Sequence, residues 1–173
     1  MYKLLYVVLL IIGSGVYAAG IPQIGYLKKH DFLAQTFEQT PKWKMLRLKG
    51  DVKKRVEAIL KHPYSSKRIR YWRDGARSAW IIDEIGKEMP ITMGLVVNGG
   101  AIENIEIMVY REERGGEVHQ AFFTKQFEGM TLIKNGLSAE VDGITGATLS
   151  VDAVTRVVAM VLYLDQYVRS KKT

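Results

Sequence analysis

The nine residues from position 142 to position 150 read DGITGATLS and are the residues of this chain most suited to chemistry. Gly143 and Gly146 allow a tight turn and let a ligand come close to the backbone. The hydroxyl groups of Thr145 and Thr148 flank that turn. Free amide groups at the start of a helix bind anions, phosphate above all. The segment therefore indicates a phosphate-binding turn or, with no ligand, a capped helix start.

A long amphipathic helix is predicted directly after this segment, over residues 151–168, because valine and leucine form a broad apolar stripe there. Ser150 is expected to cap the helix, and Asp152 to complement the helix dipole in the first turn. Such a helix would hold Thr148 just before its amino end.

Four strands are predicted ahead of this segment, and turn signals at Asp74-Gly75 and Gly99-Gly100 join them into two hairpins. The strands are expected at residues 69–72, 77–83, 91–98 and 101–111. Antiparallel strands with separate helices predict the α+β class, with a long C-terminal helix.

The other predicted elements are shorter. They are a helical turn within 31–38, a helix at 51–61 with Asp51 as its N-cap, a short helix at 120–127 and a short strand within 134–141. Residues 20–45 otherwise lack periodicity and are interpreted as a linker or arm.

Composition excludes several kinds of site. The chain has 173 residues, enough for one ordinary domain, and contains no cysteine, so disulfides, thiolate metal sites and c-type haem attachment are excluded. The histidines at positions 30, 62 and 119 are far apart in sequence, and no metal site is predicted. No His–Asp signature accompanies the motif hydroxyls, so no catalytic residue is assigned.

Positive charge is concentrated in residues 20–80, which hold fifteen Lys and Arg against five Asp and Glu. Such a region can bind nucleic acid, an anionic membrane or an acidic partner, or can be a solvated face. No nucleic-acid-binding motif is present, so we expect no nucleic-acid partner. Docking of residues 42–73 to an acidic partner or to anionic lipid is a hypothesis.

The first nineteen residues, MYKLLYVVLLIIGSGVYAA, predict export. Lys3 precedes an apolar run, and Val16-Tyr17-Ala18 forms a small-residue cleavage signature ahead of Ala19. A retained membrane anchor is the alternative, because the apolar stretch is close to the lower limit for a span. Either reading places the domain in the periplasm or anchored to the membrane and facing the periplasm.

The string D-x-x-T-G-A-T, from Asp142 to Thr148, resembles the flavinylation motif of the FMN-binding domain family. That family includes the covalent-flavin subunits of the sodium-pumping NADH:quinone reductase and of the Rnf electron-transport complex. In the family, the last threonine of the motif carries FMN through a phosphoester bond that a flavin transferase installs from FAD. The matching residue is Thr148.

The resemblance extends over residues 78–163, about half of the chain. The segment FTKQFEG at 123–129 resembles the family's F-x-x-Q-F-x-G helix, and residues 111–117 lie where the family has a glycine-containing loop. The Glu-Thr-Pro-Gly-Leu-Gly form of that loop, found in the respiratory complexes, is absent. A standalone exported member is therefore suggested.

The resemblance implies a flavoprotein that relays electrons between membrane or periplasmic redox partners, with possible membrane association. Its implied cofactor residues are Thr148, bonded to FMN, and Asp142, Gly143, Thr145, Gly146, Ala147, Leu149, Ser150, Gly115 and Gly116. His119 is a further candidate to approach the flavin ring. Two alternatives stay open: a small FMN-dependent reductase acting on a soluble acceptor, and a flavin-free partner-docking protein. An electron-transfer protein is favoured over a stand-alone enzyme.

The expected organisation has four parts. They are a signal peptide or anchor at 1–19, a basic extension at 20–75, an FMN-binding domain at 76–168 and a tail at 169–173.

Overall fold

The computed structural model describes residues 24–134 and 136–171. The predicted signal or anchor segment at 1–19 lies outside the described residues. Within the described ranges, no helix combines the length and the apolar character that crossing a membrane requires.

One antiparallel sheet of six strands forms the centre of the described structure, in the order β1-β6-β5-β4-β3-β2. The strands are β1 (Ile24–Gly25), β2 (Lys44–Arg47), β3 (Arg68–Asp74), β4 (Arg77–Ile85), β5 (Pro90–Asn98) and β6 (Ala101–Tyr110). A separate pair follows, β7 (Leu132–Ile133) with β8 (Gly136–Leu137). Both predicted hairpins, β3–β4 and β5–β6, are confirmed.

Four α-helices accompany the strands in the described residues. They are α1 (Lys29–Thr36), α2 (Gly50–Leu60), α3 (Ala121–Thr124) and α4 (Thr148–Ser170). The α+β class and the long C-terminal helix are thus as predicted.

The main core lies between α4 and one face of the sheet. Valine, leucine and methionine side chains of α4 pack there against buried residues such as Trp80, Leu95 and Ile105. The opposite face is covered by α1, where Phe32 and Leu33 pack on a smaller buried cluster. The central strands are therefore buried on both sides, and α4 is held firmly along its length.

Several local predictions were wrong at their boundaries. Helix α4 begins at Thr148, so Ala147 is the N-cap and Ser150 lies inside the first turn instead of capping it. Helix α2 begins at Gly50, and Asp51 likewise lies in the first turn while Lys49 is the N-cap. In each case the hydroxyl or carboxylate that suits a cap lies slightly too far along the chain.

The arm predicted at 20–45 contains β1, α1 and the start of β2. Strand β1 pairs with β6, and β2 pairs with β3, so both edges of the sheet come from this segment. The single strand expected within 134–141 is instead the β7–β8 pair, which begins at Leu132. Such short strands carry too few residues for a periodic signal, and only their pairing defines them.

Candidate functional site

A tight turn delivers the chain into α4. The Ala147 amide donates to the Ile144 carbonyl over 3.0 Å, and Gly146 between them has a φ of +82°. That conformation favours glycine, because a Cβ would strain it. The Val151 amide donates to the Ala147 carbonyl over 2.9 Å and closes the first helical turn.

Three amide groups at the start of α4 have no helical acceptor. They belong to Thr148, Leu149 and Ser150, which precede the first residue able to reach back along the helix. Within the described residues, no backbone carbonyl accepts from them and no side chain caps the helix. Thr148 and Leu149 are exposed. The amino end of α4 therefore presents free donors beside an accessible hydroxyl.

A cleft of about 570 Å³ opens at this end of α4. The motif supplies one wall, and the loops after β4 and β6 supply the others. The lining residues are Lys87, Glu88, Met89, Arg111, Glu112, Glu113, Arg114, Gly146, Ala147, Thr148, Leu149 and Ser150.

A second cavity of about 440 Å³ adjoins the cleft and shares Glu113, Arg114 and Gly146 with it. Its remaining walls come from the residue after β1, from the segment after β6 and from the motif turn. They are formed by Tyr26, Gly115, Gly116, Glu117, His119, Gln120 and Thr145. Together the two spaces lie in the size range of small-molecule sites.

Gly115 brings the loop after β6 against the start of α4. Its φ is +86°, and a Cβ built there would lie 2.8 Å from the Tyr110 hydroxyl oxygen and 3.0 Å from Ser150 Oγ. A side chain at this position would be strained and would also collide with both groups. The close approach of loop and helix thus depends on glycine.

Tyr110 and Ser150 lock that approach. The Tyr110 hydroxyl donates to the Arg114 carbonyl, so its one proton is used and Ser150 Oγ must donate to it over 2.9 Å. Burial raises the pKa of Tyr110, which keeps the phenol protonated and able to donate. Ser150 therefore holds the loop after β6 against α4, instead of capping the helix as predicted.

Glu112 holds the other wall of the cleft. Its Oε1 accepts hydrogen bonds from the amides of Lys87, Glu88 and Met89, over 2.6, 2.8 and 3.0 Å. Partial burial raises the pKa of Glu112, but these three bonds outweigh it and the pKa is lowered overall. The charged carboxylate thus fixes the loop after β4.

Tyr26 and His119 form an aromatic pair in the second cavity. Their ring centroids are 4.2 Å apart and their planes differ by 9°. His119 Nδ1 contacts the Gly116 carbonyl over 2.5 Å, and because a carbonyl only accepts, Nδ1 carries the proton. Burial and the nearby Glu117 carboxylate raise the pKa of Tyr26.

Most of the residues proposed from the sequence meet here. Those lining one or both cavities are Thr145, Gly146, Ala147, Thr148, Leu149, Ser150, Gly115 and Gly116. Asp142 and Gly143 line neither and are exposed. The Asp142 amide instead donates to Gln126 Oε1 over 2.7 Å, which ties the start of the motif to the 125–127 helical turn.

Sequence reasoning missed Tyr26 and the part played by Glu112. Tyr26 lies in the unpatterned arm, and only the pairing of β1 with β6 brings it to the cavity. No local pattern in the sequence shows that Glu112 reaches the amides of another loop.

Comparison with curated proteins gave no significant match. The sequence model of the FMN-binding domain matches residues 86–163. This range contains the loops that line the cleft, the turn at Gly146 and most of α4, whereas Tyr26 lies outside it. Residues 86–163 of this chain are therefore similar to the FMN-binding domain family, and this match indicates a flavin-binding protein.

Proposed function

We propose that this protein is an exported flavoprotein that carries FMN covalently on Thr148 and relays electrons between membrane or periplasmic redox partners. The observation that carries the proposal is the exposed Thr148 hydroxyl at the uncapped amino end of α4, inside the cleft. The match of residues 86–163 to the FMN-binding domain supports the cofactor.

The residues at the amino end of α4 fit a phosphate group. Amides without acceptors and the positive end of the helix dipole favour an anion there. A Cβ built on Gly146 would meet no atom within 4 Å, so the backbone at the turn is open to a ligand. The cleft lining holds three basic side chains, Lys87, Arg111 and Arg114, and an equal number of glutamates, so the helix end and not the net side-chain charge favours the anion. Thr148, Leu149 and Ser150 would hold the phosphate through their amides.

The attachment step replaces one phosphate bond by another. Thr148 Oγ would form a bond to the FMN phosphorus of FAD, the pyrophosphate bond would break, and AMP would leave. The threonine proton would pass to a base of the flavin transferase. The resulting phosphodiester would keep one negative charge, which the dipole at the amino end of α4 would stabilise.

The second cavity suits the flavin ring. It shares a wall with the Thr148 cleft, and it offers the Tyr26–His119 pair for stacking. Because His119 Nδ1 binds the Gly116 carbonyl, Nε2 is the ring nitrogen left to exchange a proton or hydrogen bond at the cofactor. When bound, FMN supplies one- and two-electron transfer, which the protein tunes by hydrogen bonds and charge.

The relay function rests on accessibility. Thr148, Tyr26 and His119 are all exposed, so a redox partner can reach a cofactor held between them. A covalent bond also suits the exported location predicted from residues 1–19, since FMN lost outside the cytoplasm could not be replaced there.

Mass spectrometry of the denatured protein tests the attachment. The full-length chain is produced by export in a host with an active flavin transferase. We expect a mass increase of one FMN less one water, mapped to the peptide containing Thr148, and no increase in Thr148→Ala. Thr40→Ala, which removes an exposed hydroxyl outside the cleft, should keep the adduct.

Two results would contradict the proposal. One is the absence of an adduct while the transferase modifies another substrate in the same cells. The other is an adduct that persists in Thr148→Ala. If flavinylated protein reduces a soluble acceptor over many turnovers without a protein partner, the reductase alternative replaces the relay.

A further inference from the structure

The strands β2 and β3 carry an unusual set of side chains on the side away from α4. Leu46 and Ile69 are paired across the strands and are buried in the core beneath α4. Side chains alternate along a strand, so the neighbouring pairs, Met45 with Arg70 and Arg47 with Arg68, point to the opposite side. With Trp43, which precedes β2, these four residues are here called the basic face.

The cations of the basic face repel one another and are not neutralised by acidic neighbours. Arg47 lies directly opposite Arg68, an arrangement that destabilises a strand pair. In the part of the chain that the structure describes, neither of them nor Arg70 has a carboxylate oxygen within 4.0 Å. An external anion between these side chains would relieve the repulsion.

The basic face also exposes large apolar side chains. Trp43 is 52% exposed and Met45 is 37% exposed, whereas Trp72 and Trp80 are buried. The Arg70 guanidinium lies 5.0 Å from the centre of the Trp43 ring. The indole is therefore exposed beside a cation, and tryptophan is enriched at membrane–water interfaces because its amphipathic ring suits the headgroup level.

We propose that the basic face binds the surface of an anionic lipid bilayer. The arginines would pair with lipid phosphates, and Trp43 and Met45 would enter the headgroup region. Two paired strands present these side chains side by side on one surface, which matches an extended array of headgroups.

Binding through the basic face leaves the Thr148 cleft and the second cavity free. The basic face lies at the β2 edge of the sheet, whereas Tyr26 adjoins β1 at the other edge. Five strand spacings separate these edges, a distance of roughly 24 Å along the sheet. The proposal does not depend on FMN, and it predicts that the cleft stays accessible when the protein is on a membrane.

Sedimentation with lipid vesicles tests the proposal on the full-length chain. Vesicles of phosphatidylcholine with phosphatidylglycerol are compared with vesicles of phosphatidylcholine alone. The neutral vesicles measure any binding by the rest of the chain that does not depend on anionic lipid. Each arginine near an anionic surface contributes about 1 kcal/mol, so the triple variant Arg47→Gln, Arg68→Gln, Arg70→Gln should bind anionic vesicles on the order of a hundredfold more weakly. High salt should weaken the wild type towards the same level.

A matched variant distinguishes binding by the basic face from a general effect of net charge. Lys54→Gln, Lys125→Gln and Lys134→Gln together remove the same charge at exposed positions outside the basic face, and this variant should bind nearly as tightly as the wild type. Equal binding by both variants would overturn the proposal. So would a wild type that binds neutral and anionic vesicles alike, or anionic vesicles not at all; an acidic protein partner would then be the class to test.

Tryptophan fluorescence gives a second readout. Because Trp72 and Trp80 are buried, a blue shift of emission on adding anionic vesicles would report Trp43. The shift should vanish in Trp43→Phe, which keeps an aromatic ring beneath Arg70. A shift that persists in Trp43→Phe would contradict insertion of this side chain.

Discussion

At its carboxyl end α4 buries Asp165 completely, whereas at its amino end it leaves Thr148 exposed to the cleft. Asp165 accepts hydrogen bonds from Ser78 Oγ and from Arg169 Nε, both over 2.7 Å. Arg73 Nη1 lies 3.9 Å from its carboxylate, close enough for charge attraction but too far for a hydrogen bond. Both carboxylate oxygens of Asp165 accept a hydrogen bond, while at the other end of α4 three amides have no helical acceptor.

The difference shows how one helix can serve two purposes. The polar network around Asp165 joins α4 to β3 and β4, and Trp80 Nε1 extends it by donating to Ser78 Oγ over 2.9 Å. The amino end can then remain without a cap, because the rest of the helix is held by packing and by this network. Free donors near Thr148 are thereby available to a ligand.

Removing the Asp165 carboxylate should have the largest effect on stability. In Asp165→Ala, the side chains of Arg73 and Arg169 lose the buried carboxylate that balances their charge. Removing one partner of a buried ion pair costs about 3–5 kcal/mol of stability. We expect the free energy of unfolding in urea to fall by that amount, while FMN attachment per folded molecule stays unchanged.

Asp165→Asn is the control for charge. The amide keeps an oxygen that can accept one bond, so its cost should be smaller than that of Asp165→Ala. If Asp165→Ala instead lost FMN while remaining folded, the two ends of α4 would be coupled, and the comparison would fail.

Gly115→Ala should disturb the packing of the loop after β6 against the amino end of α4. The added Cβ meets the Tyr110 hydroxyl and Ser150 Oγ in a backbone conformation with positive φ. Strain and overpacking together are expected to cost about 2–4 kcal/mol. Displacement of the loop that separates the two cavities should also lower the yield of attached FMN.

Gly99→Ala is the matched control, because Gly99 also has a positive φ, +62°, but a Cβ there would meet no atom within 4 Å. It should cost only about 1–2 kcal/mol in the free energy of unfolding and should leave FMN attachment unchanged. Equal losses in both variants would show that strain alone, not contact with α4, explains the requirement for glycine.

Glu112→Gln should have the smallest effect, seen in the pH dependence of stability. The folded pKa of Glu112 lies below its ordinary value of 4.5, so its contribution is complete above that value and is lost as pH falls through the folded pKa. In urea unfolding at decreasing pH, the free energy of unfolding of the wild type should therefore show a decrease that Glu112→Gln lacks. Identical pH profiles would mean that the carboxylate does not hold the loop after β4.

Local patterns were sufficient for much of the fold. The two hairpins were predictable because Gly75 and Gly99 stand between alternating strands, and α4 because its apolar stripe spans many turns. The short strands β1 and β2 were not, because a few residues carry no period and their pairing partners are far away in sequence.

The candidate site also has parts that local sequence predicts and parts that it does not. The motif from Asp142 to Thr148 is contiguous, so its glycines and hydroxyls could be recognised directly in the sequence. Ser150 was assigned to a cap on local grounds, but its hydroxyl is used by Tyr110, forty residues earlier in the chain. A local rule cannot anticipate a competing partner of that kind.

The amino-acid sequence alone therefore determined the fold class, the hairpins and the position of Thr148, since these depend on neighbours in the chain. Only the tertiary structure decided that Glu112 anchors a distant loop, that Tyr26 pairs with His119, and that Arg47 lies opposite Arg68. These contacts are formed by strand pairing and loop packing, which bring together residues that no sequence spacing relates.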